Sequence, residues 1–254
     1  MAITLANLDF SPAVTLFDAN ISVGTGRLEL GHTAERQALL HELDRHGVGR
    51  AVVYHRHADE VSPIHGNALL RQWLHPDQRL LPLWSALPTD ESLTQITELH
   101  QAGLVRAVRL SPAAGLPFTP WIFHDLLSWL TTHDLPLWIA LPDRDPAALV
   151  ATLRNYPQLR VLLTEVHYSH ALIVERMLAA LPGLHLELSR FEPLDGVRRL
   201  IARFGVERLI YGSAYPRYAL GPIAYYLHHC DLDRAQLTQI CSGNLERLYE
   251  GVAS

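Results

Sequence analysis

Apolar residues fall into eight short, nearly unbroken runs: VTLFDA (14–19), AVVY (51–54), LLPLW (80–84), VRAVRL (105–110), LPLWIA (135–140), RVLLT (160–164), LHLEL (184–188) and RLIY (208–211). Continuous rather than alternating apolar character predicts parallel strands covered on both faces. Between the runs the spacing turns helical. RQALLHELDRHG (36–47) places Leu39, Leu40 and Leu43 on one face and stops at Gly47. WIFHDLLSWLTTH (121–133), AALVATLRNY (147–156) and GVRRLIARFG (196–205) repeat that pattern, and two more helical stretches, IAYYLHHC and RAQLTQICSGNLERLYE, follow the last run. Eight strands alternating with helices predict a single (β/α)8 TIM barrel, an α/β fold.

The competing architecture is a doubly wound open sheet. Its glycine-rich turn fails here, because Gly24–Thr25–Gly26 is followed by Glu29 where a third glycine belongs. No linker, low-complexity stretch or charge block divides the chain, so the expectation is one domain over residues 1–254.

Composition narrows the chemistry. The net charge is −5 with acids and bases interspersed, which predicts neither a nucleic-acid nor a membrane partner. No apolar run approaches the ~20 residues that cross a bilayer. MAITLANLDFSP lacks a basic region followed by an apolar stretch, so the expectation is a soluble, cytoplasmic protein. Two cysteines, Cys230 and Cys241, give no disulfide framework. All 21 basic residues are arginine. The absence of lysine excludes Schiff-base chemistry, a lysine-bound pyridoxal phosphate, a P-loop lysine and a metal centre bridged by a carboxylated lysine.

A barrel's site lies at the C-terminal ends of its strands, which makes the polar residues there the candidates. His55 and His57 after the second run, and Glu165 and His167 after the sixth, are each two residues apart, a spacing that turns side chains the same way in a strand. A histidine of this set suits general acid–base work near neutral pH, with Glu165 or Asp18 orienting it. The same four residues are the donor types of a relocated zinc site, the alternative to a cofactor-free site. Arg109, Arg190 and Arg217 offer two-pronged hydrogen bonds to a carboxylate or phosphate. Asn20, Tyr215 and Trp84, with Trp138, are candidate pocket walls. Ser213, in GSAYP, lacks the Gly-x-Ser-x-Gly elbow of a nucleophile and reads as a hydroxyl serving its own turn.

These residues carry a resemblance. FDANIS sits where the amidohydrolase-related family of metal-dependent barrels, which includes aminocarboxymuconate semialdehyde decarboxylase, has Asp-x-His-x-His. LLHELDRHGVGRAVVY resembles its Leu…Met-Asp…Gly-Val-x-x-Ala-Val segment, and GNALLRQWLHPDQRLLPL its Asn…Pro-Asp-Arg stretch. FGVERLIYGSAYP resembles the block Phe-Gly-x-x-Arg-hydrophobic-x-x-Gly-Ser-Asp-x-Pro, and ICSGNLERLYE the closing helix. The likeness runs from about residue 15 to residue 250.

The resemblance implies a metal-dependent barrel, but the metal-binding positions differ. Asn20 and Ser22 stand for the two histidines of the first strand, Ala140 and Glu165 for those of the fifth and sixth, and Ala214 for the eighth-strand aspartate. The expectation is therefore a hydrolase or decarboxylase-type lyase acting on a small, carboxylated substrate without the usual metal. The alternative is a barrel kept as a ligand-binding or interaction protein. The family leaves a homodimer open as the assembly.

Overall fold

The computed structural model describes residues 10–26, 33–74, 78–112 and 116–251. The N-terminal segment read above for a secretion signal, through Asp9, and the Glu29 position of the glycine-rich comparison lie outside them.

The strands are β1 (Leu16–Val23), β2 (Val48–His55), β3 in two pieces (Leu80–Pro82 and Trp84–Ala86), β4 (Val108–Leu110), β5 (Leu137–Ala140), β6 (Val161–Thr164), β7 (Leu184–Glu187) and β8 (Leu209–Ile210). Each pairs in parallel with the next. Leu83, between the two pieces of β3, donates its N–H to the Val53 carbonyl at 2.8 Å and keeps that strand on β2. Ala19 N–H to the Tyr211 carbonyl (3.1 Å), Ser22 N–H to the Tyr215 carbonyl (2.9 Å) and a parallel bridge between Ile21 and Tyr215 tie β1 to the chain after β8. The eight apolar runs thus form the staves of a (β/α)8 barrel.

The helices are α1 (Arg36–Arg45), α2 (His57–Glu60), α3 (Pro63–Trp73), α4 (Asp90–Gln101), α5 (Pro120–Thr132), α6 (Pro146–Leu153), α7 (Ala171–Ala180), α8 (Gly196–Phe204), α9 (Gly221–His228), α10 (Arg234–Thr238) and α11 (Asn244–Glu250). The helical spacing singled out above did not include α2, α3, α4 and α7. The starts of α3 and α4 are set by their caps: Ser62 Oγ accepts from His65 N–H, with Pro63 in the first turn, and Thr89 Oγ1 accepts from Ser92 N–H.

Both faces of the strands are buried, and the faces differ. Phe17, Val52, Tyr54, Leu83, Ala107, Trp138, Leu162 and Ile210 fill the barrel interior. Their neighbours Leu16, Val53, Trp84, Val108, Ile139, Leu163 and Leu209 pack outward against the helices. Trp138 spans the interior, its indole N–H donating to the Ala19 carbonyl at 3.0 Å. Leu245, Leu248 and Tyr249 of α11 join the interior cluster. The Tyr249 hydroxyl donates to the Pro82 carbonyl at 2.6 Å, and Arg50, near the start of β2, pairs with Glu246 and Glu250. The C-terminal helix therefore plugs the N-terminal end of the barrel and leaves the opposite end for a site.

Candidate functional site

At the C-terminal end of the barrel lies an open cleft of about 200 Å³. Asn20, Ser22, Tyr54, Arg56, Asp59, Glu60, Arg109, Pro112, Asp143, Glu165, Ala214, Tyr215 and Arg217 line it. Its centre is Arg109, on an inward position of β4. The guanidinium is almost completely buried, lies 4.0 Å over the Tyr54 ring, hydrogen-bonds Asp59 and stands 3.8 Å from Glu165. Burial opposes a charge there, but Asp59, Tyr54 and Glu165 more than offset it, and the group is held more firmly protonated than a free arginine. Arg217 approaches Glu165 from the cleft mouth at 2.9 Å, with its side chain 60% exposed. Glu165 is thus held between one buried and one exposed arginine.

Asp59 is the second carboxylate on Arg109. Burial pushes its acid up to about 6, with the Arg109 charge and hydrogen bond pulling the other way. Asn20 is 1% exposed at the floor, and its Nδ2 has no hydrogen-bond partner. An unspent buried donor is uncommon and costly.

Beneath this floor lie two fully buried acids. Asp18 Oδ1 accepts the N–H groups of Asn20 (2.9 Å) and Ser213 (3.1 Å), tying β1 to the turn after β8, and burial pushes its carboxyl up to about 6. Ser213 completes that turn by accepting the Tyr215 N–H at 3.1 Å, which is the turn-serving role read from sequence. Ala214 keeps a left-handed backbone (φ 54°). That conformation is strained for alanine and milder for aspartate, the residue the resemblance would place there. Glu187, at the end of β7, accepts from the N–H of Glu165 at 3.0 Å and from Ser189, and burial pushes it up to about 8.

Of the candidates read from sequence, Glu165, Arg109, Arg217, Asn20 and Tyr215 come together in the cleft and Asp18 lies under it. The others do not join them. Tyr54 faces the barrel interior, so the next residue, His55, turns outward. Its ring fills the space over Gly24, where a Cβ would meet Nε2 at 2.0 Å. Burial lowers the His55 imidazole to about 4, with His57 adding to the effect, so it is neutral at pH 7. His57 stacks on His65 at 5.4 Å, away from the cleft lining. His167 pairs its Nδ1 with the Ser169 hydroxyl at 2.8 Å and packs on Tyr168. The expectation that His57 and His167 point with their neighbours assumed continued strands, and the chain has left the strand at both places. Arg190 lies over the Tyr218 ring at 4.3 Å rather than in the cleft. Trp84 faces the helices, its indole N–H on the Leu104 carbonyl at 3.0 Å, and Trp138 is interior packing.

The four residues of the relocated zinc alternative therefore do not converge, and among the described residues no three of His, Cys, Asp and Glu are grouped so as to hold a metal ion. Sequence reasoning missed Asp59 and, although Glu187 was among the polar strand-end residues, assigned it no role. Asp59 sits on α2, beyond the strand end, while Glu187 does end its strand but is buried below the cleft. The cysteines serve packing: Cys241 is fully buried, with its thiol pushed up to about 12, and Cys230 donates to the Tyr226 carbonyl at 3.1 Å. Among the described residues no helix is long and apolar enough to cross a membrane.

Comparison with known proteins agrees with this architecture. The structure of an uncharacterised TIM-barrel protein from Bordetella bronchiseptica superposes with a TM-score of 0.74 at 19% identity, covering 92% of this chain and 98% of that one. The 5-carboxyvanillate decarboxylase of Sphingomonas paucimobilis gives 0.70 at 13% identity (94% and 99%). The 2,6-dihydroxybenzoate decarboxylase of Rhizobium gives 0.69 at 12% identity (95% and 99%). At these identities the likeness is one of fold. No curated protein sequence matches the chain. The amidohydrolase family model matches residues 20–251, nearly the whole length, and the chain therefore belongs to the amidohydrolase family.

Proposed function

We propose that this protein is a metal-independent lyase of the amidohydrolase family that decarboxylates a small carboxylated substrate. The observation that carries this reading is Glu165, placed in the cleft between Arg109 and Arg217. A catalytic zinc needs about three protein ligands and an open position. Of the five positions, Asn20, Ser22, Ala140 and Ala214 supply no anionic donor, and Glu165 is engaged by Arg109 and Arg217. That leaves fewer than the ligands a catalytic zinc needs, so the donor set does not fit a metal ion.

The residues present suit another way of handling negative charge. Arg217 uses one N–H on Glu165, and the remaining donors of its fork can take a substrate carboxylate at the cleft mouth. Arg109, fixed by Tyr54, Asp59 and Glu165, is a preorganised positive charge next to the reacting carbon. In the lyase step the bond from that carbon to the carboxylate breaks, carbon dioxide leaves, and the electron pair stays on carbon. A proton drawn from water through the Glu165 or Asp59 carboxylate then completes the product, and the hydroxide left takes up the carbon dioxide as bicarbonate. Two solved relatives in fold act on carboxylated phenols by their names, which makes such acids the first substrates to test.

A second reading, a ligand-binding barrel without turnover, is favoured by one observation: neither histidine nor cysteine lines the cleft. One assay separates the two. Chelator-treated protein is incubated with a panel of hydroxybenzoates while carbon dioxide release and binding are followed. Turnover that survives chelation supports the lyase, and binding alone supports the second reading. In either case Arg217→Gln should weaken binding about 10- to 100-fold, the worth of a charge-assisted hydrogen bond. Unchanged affinity would remove Arg217 from the site.

A further inference from the structure

We propose that Glu187 is a positioning residue, which sets the direction of Glu165 by holding its backbone N–H. This rests on reading Glu165 as the reacting carboxylate, but the geometry stands apart from that reading. In β6, Leu162 faces the interior and Leu163 the helices. Continued alternation would turn Glu165 away from the barrel axis. Instead its N–H donates to Glu187 Oε2 at 3.0 Å and its backbone takes φ 57°, the left-handed region. The ladder stops at Thr164, and the side chain is delivered to Arg109 and Arg217.

Glu187 itself does not line the cleft. Its remaining bonds are from Ser189, whose N–H reaches Oε1 at 2.6 Å and whose hydroxyl reaches Oε2 at 3.0 Å. Across the barrel wall, Gly212 leaves the room this carboxylate needs. A Cβ there would stand 2.5 Å from Oε1 and 2.6 Å from Cγ. The ends of β6, β7 and β8 thus interlock at one buried side chain.

No ion pair to Glu187 exists among the described residues, and burying an unpaired carboxylate is costly. Burial pushes its acid up to about 8, and the nearby Asp18 adds to the rise, while the hydrogen bonds from Glu165 and Ser189 oppose it. The titratable groups facing it are Asp18 on β1 and Tyr211, directly after β8. Because the shift is upward, Glu187 is neutral below about pH 8 and ionised above it. The Glu165 N–H bond therefore strengthens as pH rises.

The test uses the full chain labelled with 15N-glutamate. In the wild type the Glu165 amide resonance should move downfield between pH 6 and 10 with a midpoint near 8. In Glu187→Gln that midpoint should vanish, and in Gly212→Ala, which keeps but displaces the carboxylate, it should move. Benzoate affinity is then measured by calorimetry in the wild type, Glu187→Gln, Glu165→Ala and the double variant. A residue acting through Glu165 should alter the dissociation constant about tenfold in the wild-type background and leave it unchanged in Glu165→Ala. An amide that does not titrate, or an equal effect of Glu187→Gln in both backgrounds, overturns the proposal. Should benzoate fail to bind the wild type, the proposed substrate class falls, while the amide titration still decides the role of Glu187.

Discussion

Glu165→Gln should lower turnover by about 10²- to 10⁴-fold, the usual contribution of a positioned proton-transfer group. The change is nearly isosteric. The glutamine oxygen can still accept from Arg217, so substrate binding and folding should change far less than the chemical step. Steady-state kinetics on the carboxylate that turns over would show a fall in kcat with a modest change in KM. The backbone bond to Glu187 survives the substitution, because it uses the main-chain N–H. A variant that keeps its turnover within about threefold of the wild type would remove Glu165 from the reaction and leave proton transfer to Asp59.

Arg109→Met should cost about 3–5 kcal/mol of stability, the penalty for leaving a buried charge unpaired. The methionine fills much of the arginine stem's volume, so the loss is chiefly electrostatic. Asp59 and Glu165 both face Arg109, and the Glu165 charge already adds to the rise of the Asp59 acid. Without the guanidinium they would meet as two like charges. The cost should be read by urea denaturation. Adding Asp59→Asn should recover part of it, since one orphaned carboxylate is then gone. Arg109→Lys should rescue incompletely, because an ammonium cannot bridge two carboxylates while lying flat on Tyr54. A loss below about 1 kcal/mol in Arg109→Met would mean that the cleft network contributes little to the fold.

The barrel was legible because its strands are short, apolar on both faces and regularly spaced, from VTLFDA to RLIY. Part of the site follows from strand alternation. Ala107 faces the interior, so Arg109 does too, and the placement follows from the period of two. The same rule, applied from Tyr54, turns His55 outward and would have removed it from the candidates. Trp84 fails in the same way, one residue after the inward Leu83.

Other placements carry no such signal. Glu165 reaches the cleft through a left-handed residue fixed by a side chain on the next strand, and no local pattern in TEVHYS announces it. Asp59 arrives on the four-residue helix α2, past the strand end where the search stopped. Arg109 and Arg217 are paired with the protein's own carboxylates, an outcome set by three-dimensional proximity rather than by spacing along the chain.

The central claim is that an arginine–carboxylate network occupies the place of a metal centre. Elemental analysis tests it most directly, on protein purified without chelators or a metal-affinity tag and then titrated with zinc and manganese. The account predicts metal far below one equivalent per chain and no saturable uptake that Glu165→Gln alters. Near-stoichiometric metal, lost on Glu165→Gln, would contradict it and return the cleft to metal-dependent chemistry.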